Sequence, residues 1–130
     1  MAIKRVINPE RVRKIPAQFS WVDHRLVRER YIERCDTQAL ALYLFLVTVA
    51  DAQGLSYYSE AALSRSLSME VSRLGQARAA LIRAGLIAYQ RPLYQVLALD
   101  PPPVQTHEPA PAEIEARIEQ LRAALGRTPP

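Results

Sequence analysis

The chain has 130 residues, 49% of them apolar, and carries 17 Lys and Arg against 13 Asp and Glu for a net charge of +4. That length buries one ordinary core, and the proline-rich end is expected to stay outside it. The lone Cys35 excludes an internal disulfide, one cysteine with His24 and His107 falls short of a zinc set, and the longest apolar run, ALALYLFLVTVA, is shorter than the about 20 residues a bilayer span needs.

In chain order, residues 1 to 20 are basic and hold Pro9 and Pro16, the composition of an extended arm rather than a helix. The arm has no apolar signal region, so a soluble, cytoplasmic protein is expected. Asp36 is a good N-cap, the run from Thr37 to Asp51 is helical in length and rich in Leu and Ala, and Gly54 follows as a C-terminal stop. LSYYS reads as a short β segment in which Tyr57 and Tyr58 alternate between core and surface. Ser59 then caps EAALSRS, LS makes a turn, and Ser68 caps the next helix, with Glu70 in a first turn where the helix dipole favours an acid. That helix runs to Ala84 and stops at Gly85. LIAYQ and LYQVLAL alternate as two strands around Arg91 and Pro92, a hairpin with a very short tip. The chain thus divides into a basic arm (1–20), a folded domain (21–99), a proline-rich linker (100–111) and an amphipathic tail helix (112–126).

Two helices raise questions of cover. ALALYLFLVTV is apolar nearly all round, so one buried face does not account for it. Phe19, Trp21, Leu26, Val27, Tyr31 and Ile32 of the preceding segment are one candidate for the second side, and a homodimer interface is the other. In the tail, Ile114, Ile118, Leu121 and Leu125 are spaced 4, 3 and 4, a coiled-coil seam of under two heptads. Such a helix packs on its own domain, self-associates, docks on a larger replication or transposition protein, or stays a frayed tail helix of mixed charge.

Catalytic patterns are missing from the sequence. His24 follows Asp23, and neighbours in sequence do not face each other on a helix. Cys35 beside Asp36 reads as a buried or half-buried residue at a helix start, and there is no phosphate loop, paired-carboxylate site or nucleophile motif. The reading is a protein that is not an enzyme and needs no cofactor or metal.

Charge position says more than net charge. Residues 1 to 34 hold nine basic groups (Lys4, Arg5, Arg11, Arg13, Lys14, Arg25, Arg28, Arg30, Arg34) against four acids. Residues 55 to 99 add five arginines against Glu60 and Glu70. Clusters of this kind are a footprint for a polyanion, and solvated arginines on any surface give a weaker version of it.

The order helix, short strand, helix, turn, helix, hairpin is that of a winged helix-turn-helix. LSRSLSMEVSRLGQARAALIRAGLI resembles the helix-turn-helix of winged-helix DNA-binding proteins, with Leu63, Leu67, Leu74, Leu81 and AGLI in core positions. TQALALYLFLVTVADAQGLSYYSEAAL is similar to the first helix and strand of winged-helix domains in DnaD-type and plasmid or phage replication-initiation proteins. The expected fold is therefore mostly α with a small β-hairpin. Two departures stand out. The hairpin tip offers only Arg91, enough for one phosphate contact, and Ser68 replaces the usual turn glycine, so the turn is expected to form without left-handed geometry.

Projected at about 100° per residue, Leu74, Ala77 and Leu81 share one side of the candidate recognition helix, with Val71 and Arg78 at its margins. Ser72, Gln76, Ala79 and Arg83 lie opposite, flanked by Arg73 and Ala80. Arg grips guanine, Gln pairs with adenine, and alanine permits close approach, so Ser72, Arg73, Gln76 and Arg83 are the base-reading candidates. A solvated face with good helix formers would look the same. The phosphate-contacting candidates are Lys4, Arg5, Arg11, Arg13, Lys14, Arg65 and Arg91. The resemblance implies a duplex DNA-binding regulator or a replication or mobile-element accessory factor, nucleoid-associated when bound. The alternative is an interaction module of a nucleoprotein complex with weak or no DNA readout.

Overall fold

The computed structural model describes residues 3–99 and 111–125, with the side chains of 115–123 in the second stretch. Most of the expected linker, residues 100 to 110, lies outside the described residues. The described residues up to Leu99 form one compact unit, and those from Pro111 belong to a second.

The first unit opens on an extended, exposed arm interrupted by a 3-10 turn at Pro9–Arg11, whose start is capped by the Asn8 side chain. A one-turn helix α1 (Arg25–Arg28) and a 3-10 turn (Tyr31–Arg34) lead to α2 (Thr37–Val49). Asp36 caps α2 as expected, its carboxylate accepting from the Ala39 amide at 2.8 Å. Then follow β1 (Leu55–Tyr57), α3 (Glu60–Leu67), α4 (Val71–Arg83), β2 (Ile87–Gln90) and β3 (Leu93–Val96). Ser59 caps α3 through the Ala62 amide at 3.1 Å. The strands form one antiparallel sheet in the order β1-β3-β2. The short β segment is thus the third strand of the hairpin's own sheet, Tyr57 pairing with Leu93 and Leu55 with Gln95. The second unit contains α5 (Pro111–Leu125). Among the described residues, no helix is long and apolar enough to cross a membrane.

The core gathers where α2, α4 and the sheet converge. From α2 it takes Ala39, Leu42, Tyr43, Leu46 and Val47, spaced i, i+3, i+4, i+7, i+8. From α3 and α4 come Leu63, Leu74, Ala77 and Leu81, and after α4 come Leu86, Ile87 and Tyr94. Each fully buried Leu contributes about 1.5–3 kcal/mol relative to an exposed one. Of the positions expected to be core by resemblance, Leu63, Leu74, Leu81, Leu86 and Ile87 are buried, Leu67 and Ala84 are half-buried, and Gly85 is exposed.

The second side of α2 differs from expectation. Of the six candidates, Leu26 and Tyr31 pack on the core, joined by Cys35, whereas Phe19, Trp21, Val27 and Ile32 are exposed. Leu44, on the side of α2 away from the core, is 62% exposed. Phe45 instead finds cover from Tyr58, their rings meeting edge to face at 5.0 Å, while Tyr57 points to solvent.

The punctuation needs three corrections. α2 stops at Val49 because Ala50 turns to extended backbone, and Gly54 serves instead the loop into β1. Ser68 does not cap α4; it ends α3, in left-handed geometry at φ 50°. The Met69 amide donates back to the Ser64 carbonyl at 3.0 Å and the Ser68 amide to Arg65 at 3.4 Å, closing the last turn of α3 around a serine where glycine is usual. α4 therefore begins at Val71, with Glu70 at its N-cap making no side-chain capping bond. Burial of Met69 at 7% exposure holds the turn in place. Ser68→Gly is expected to relieve the left-handed penalty and raise stability by about 0.5–1 kcal/mol, read as a higher urea midpoint at unchanged slope. A lower midpoint would mean that the added freedom of the unfolded chain outweighs that relief.

Candidate nucleic-acid interface

α4 sorts its side chains by helical period. Leu74, Ala77 and Leu81 are buried, which turns Ser72, Arg73, Gln76 and Arg83 outward, all four of them exposed. At about 100° per residue, Ser72, Gln76 and Arg83 fall within about 40° of one another around the axis, with Arg73 about 60° beyond Gln76. The helix ends in a glycine motif: the Gly85 amide donates to Ile82 and the Leu86 amide to Leu81, both at 3.0 Å, with Leu86 and Leu81 themselves buried. This stop fixes Arg83 in the last turn, where a cation also offsets the carbonyl end of the helix.

Gly75 is a feature that side-chain chemistry did not flag. A Cβ there would meet nothing within 4 Å, so packing does not require glycine, and its place in mid-helix costs about 1 kcal/mol in propensity. The signal was legible as an unexplained glycine inside a helical pattern. Val71 and Ile82, 52% and 45% exposed, add an apolar margin to the exposed surface of α4.

Arg78 is set apart from the other arginines of α4. Its guanidinium pairs with Glu60 of α3, donates through Nε to the Tyr94 hydroxyl at 3.0 Å and lies over the Tyr89 ring at 4.4 Å. One side chain thus ties α4 to α3 and to both hairpin strands, which holds the outward face in fixed relation to the hairpin.

The phosphate-contacting candidates are dispersed. Arg65 is exposed in the last turn of α3, and Arg91 is exposed at the hairpin tip, where the Arg91-Pro92 peptide is cis. Lys4, Arg5, Arg11, Arg13 and Lys14 are exposed along the arm. The arm is rooted by the Ser20 hydroxyl, which donates to the Thr48 carbonyl at 3.1 Å near the end of α2. Phe19 and Trp21 line, with Gly54 and Leu97, an open groove of about 520 Å³. Strand register places this groove and the hairpin tip at opposite ends of the sheet, since Tyr57 pairs with Leu93 beside the tip while Gly54 receives the Val96 amide at the far end. The root of the arm and Arg91 therefore lie toward opposite ends of the sheet.

Beside the groove, Asp23 binds Arg25 rather than His24, its carboxylate accepting from the Arg25 amide at 2.9 Å and pairing with the guanidinium at 2.6 Å. Those bonds hold its pKa down to about 2. Burial pushes the Cys35 thiol up, which disfavours a reactive thiolate. In α5, Ile118 and Leu121 are 42% and 59% exposed, while the side chains of Ile114 and Leu125 lie outside the described residues. No family model, curated protein or solved structure matches the chain.

Proposed function

We propose that the chain is a winged helix-turn-helix protein that binds duplex DNA, with α3 and α4 as the helix-turn-helix, β2 and β3 as the wing, and α4 as the reading helix. The reading makes it a binding protein rather than an enzyme, a regulator or a replication or mobile-element accessory factor, cytoplasmic and on the nucleoid when bound. The observation that carries it is the outward side of α4: Ser72, Arg73, Gln76 and Arg83 turned away from a core that anchors the other side of the helix. Those groups have the donors and acceptors that base edges in the major groove demand, and bare backbone at Gly75 allows close approach. Arg65, Arg91 and the arm cations then supply phosphate contacts, which position the protein without reading sequence.

Titration of random and selected duplexes at two salt concentrations tests this. Arg73→Ala or Gln76→Ala is expected to cost about 1–3 kcal/mol on the preferred site and much less on random DNA. Changing Arg11, Arg13 and Lys14 together to Ala is expected to weaken all duplexes alike and to flatten the log-log salt dependence by roughly 0.9 for each phosphate that the arm no longer neutralises. Full site preference in both α4 variants would favour the second reading, an interaction module of a nucleoprotein complex. The short tip supports that second reading, since Arg91 is its one cation.

A further inference from the structure

The stretch of α5 from residue 115 to 123 is exposed along its whole length. At 15 residues, the helix is marginal by itself in water, where isolated helices shorter than about 12–15 residues barely form. The exposed Ile118 and Leu121 belong to the 4-3-4 seam and ask for an apolar cover.

The charges beside the seam select what that cover is. In heptad terms Ile114 and Leu121 occupy d positions and Ile118 and Leu125 a positions, which places Glu115 and Arg122 at e and Arg117 at g. Two parallel copies would set Arg117 of each helix against Arg122 of the other, two like-charge contacts. Two antiparallel copies set Glu115 of each against Arg122 of the other, and the two-fold axis makes the ion pair twice. Antiparallel pairing also puts the positive end of each helix dipole beside the negative end of its neighbour. We propose that α5 is a homodimerisation element that pairs antiparallel with α5 of a second copy, Ile118 of one layered against Leu121 of the other. The proposal stands independently of the DNA reading; where both hold, the dimer is bivalent, and its second DNA contact forms at a raised effective concentration.

Sedimentation of the full chain over a range of concentrations tests it, using wild type, Arg122→Glu, Glu115→Arg and the double swap. Wild type is expected to show a concentration-dependent dimer. Arg122→Glu and Glu115→Arg each replace both attractive contacts by repulsive ones and are expected to weaken it roughly tenfold, with the double swap restoring it. In a parallel pair Arg122→Glu would tighten association instead, so the sign separates the two arrangements. Cross-linking in a Cys35→Ser background gives a second readout. A mixture of Ile118→Cys and Leu121→Cys chains is expected to form the mixed disulfide in preference to either homotypic one. A monomer at every concentration, association indifferent to charge reversal, tighter binding by Arg122→Glu, or preferential homotypic cross-links would each overturn the proposal. None of these outcomes touches the exposed side of α4, so the duplex titration decides the DNA reading separately.

Discussion

Leu46→Asp is expected to leave little folded protein, whereas Leu44→Asp, two residues away on the same helix, is expected to change stability by less than about 1 kcal/mol. Leu46 is 0% exposed, on the side of α2 that faces the core with Leu42 and Val47. An aspartate there is an unpaired charge in an apolar interior, which costs several kcal/mol against the about 5–15 kcal/mol that holds a whole domain together. Leu44 is 62% exposed, and its carboxylate replacement would remain in water. The sequence expects both substitutions to be severe, because α2 is apolar on every side; the structure separates them. Urea unfolding followed by circular dichroism measures the difference. Equal loss in Leu44→Asp would show that a second partner covers that face in solution, and tolerance of Leu46→Asp would mean that the core lies elsewhere.

Gly54→Ala is the second large loss. Gly54 adopts φ +85°, and a Cβ there would stand 2.6 Å from the Val96 carbonyl oxygen, a backbone atom that cannot swing aside. The position is held from all sides. The Gly54 carbonyl receives the Val96 amide at 2.8 Å, the Gly54 amide donates to Asp51 at 3.0 Å, and the Asp51 carboxylate accepts from Gln53 and Leu55, both at 2.9 Å. An added methyl must push β3 away from the loop that feeds β1, at a cost of about 2–4 kcal/mol including the left-handed penalty. Gly85→Ala is the matched control: its φ is +76°, but a Cβ would meet nothing within 4 Å. It is expected to lose only the dihedral term, about 1 kcal/mol. Equal losses at the two sites in thermal or urea unfolding would mean that the sheet relaxes freely and that dihedral preference alone sets both.

Much of this molecule was legible in the sequence because the forces concerned act over a few residues. Asp36 and Ser59 as caps, the stop at Gly85, the buried side formed by Leu74, Ala77 and Leu81 and the hairpin around Pro92 each follow from a side chain and its near neighbours in the chain. The outward face of α4 was legible for the same reason, since an amphipathic helix declares which side is dry. α2 declares nothing of the kind: with apolar residues all round, only contact with α4 and the sheet decides that Leu46 is core and Leu44 is surface. Long-range pairing likewise joined β1 to the hairpin and brought Arg78 to Glu60 and Tyr94, 18 and 16 residues away. Ser68 takes left-handed geometry against its intrinsic preference because burying Met69 between α3 and α4 outweighs a local cost of about 1 kcal/mol. Local rules set the caps at Asp36 and Ser59 and the stop at Gly85, and the competition for burial among elements distant in sequence set the turn at Ser68 and which face of each element went inside.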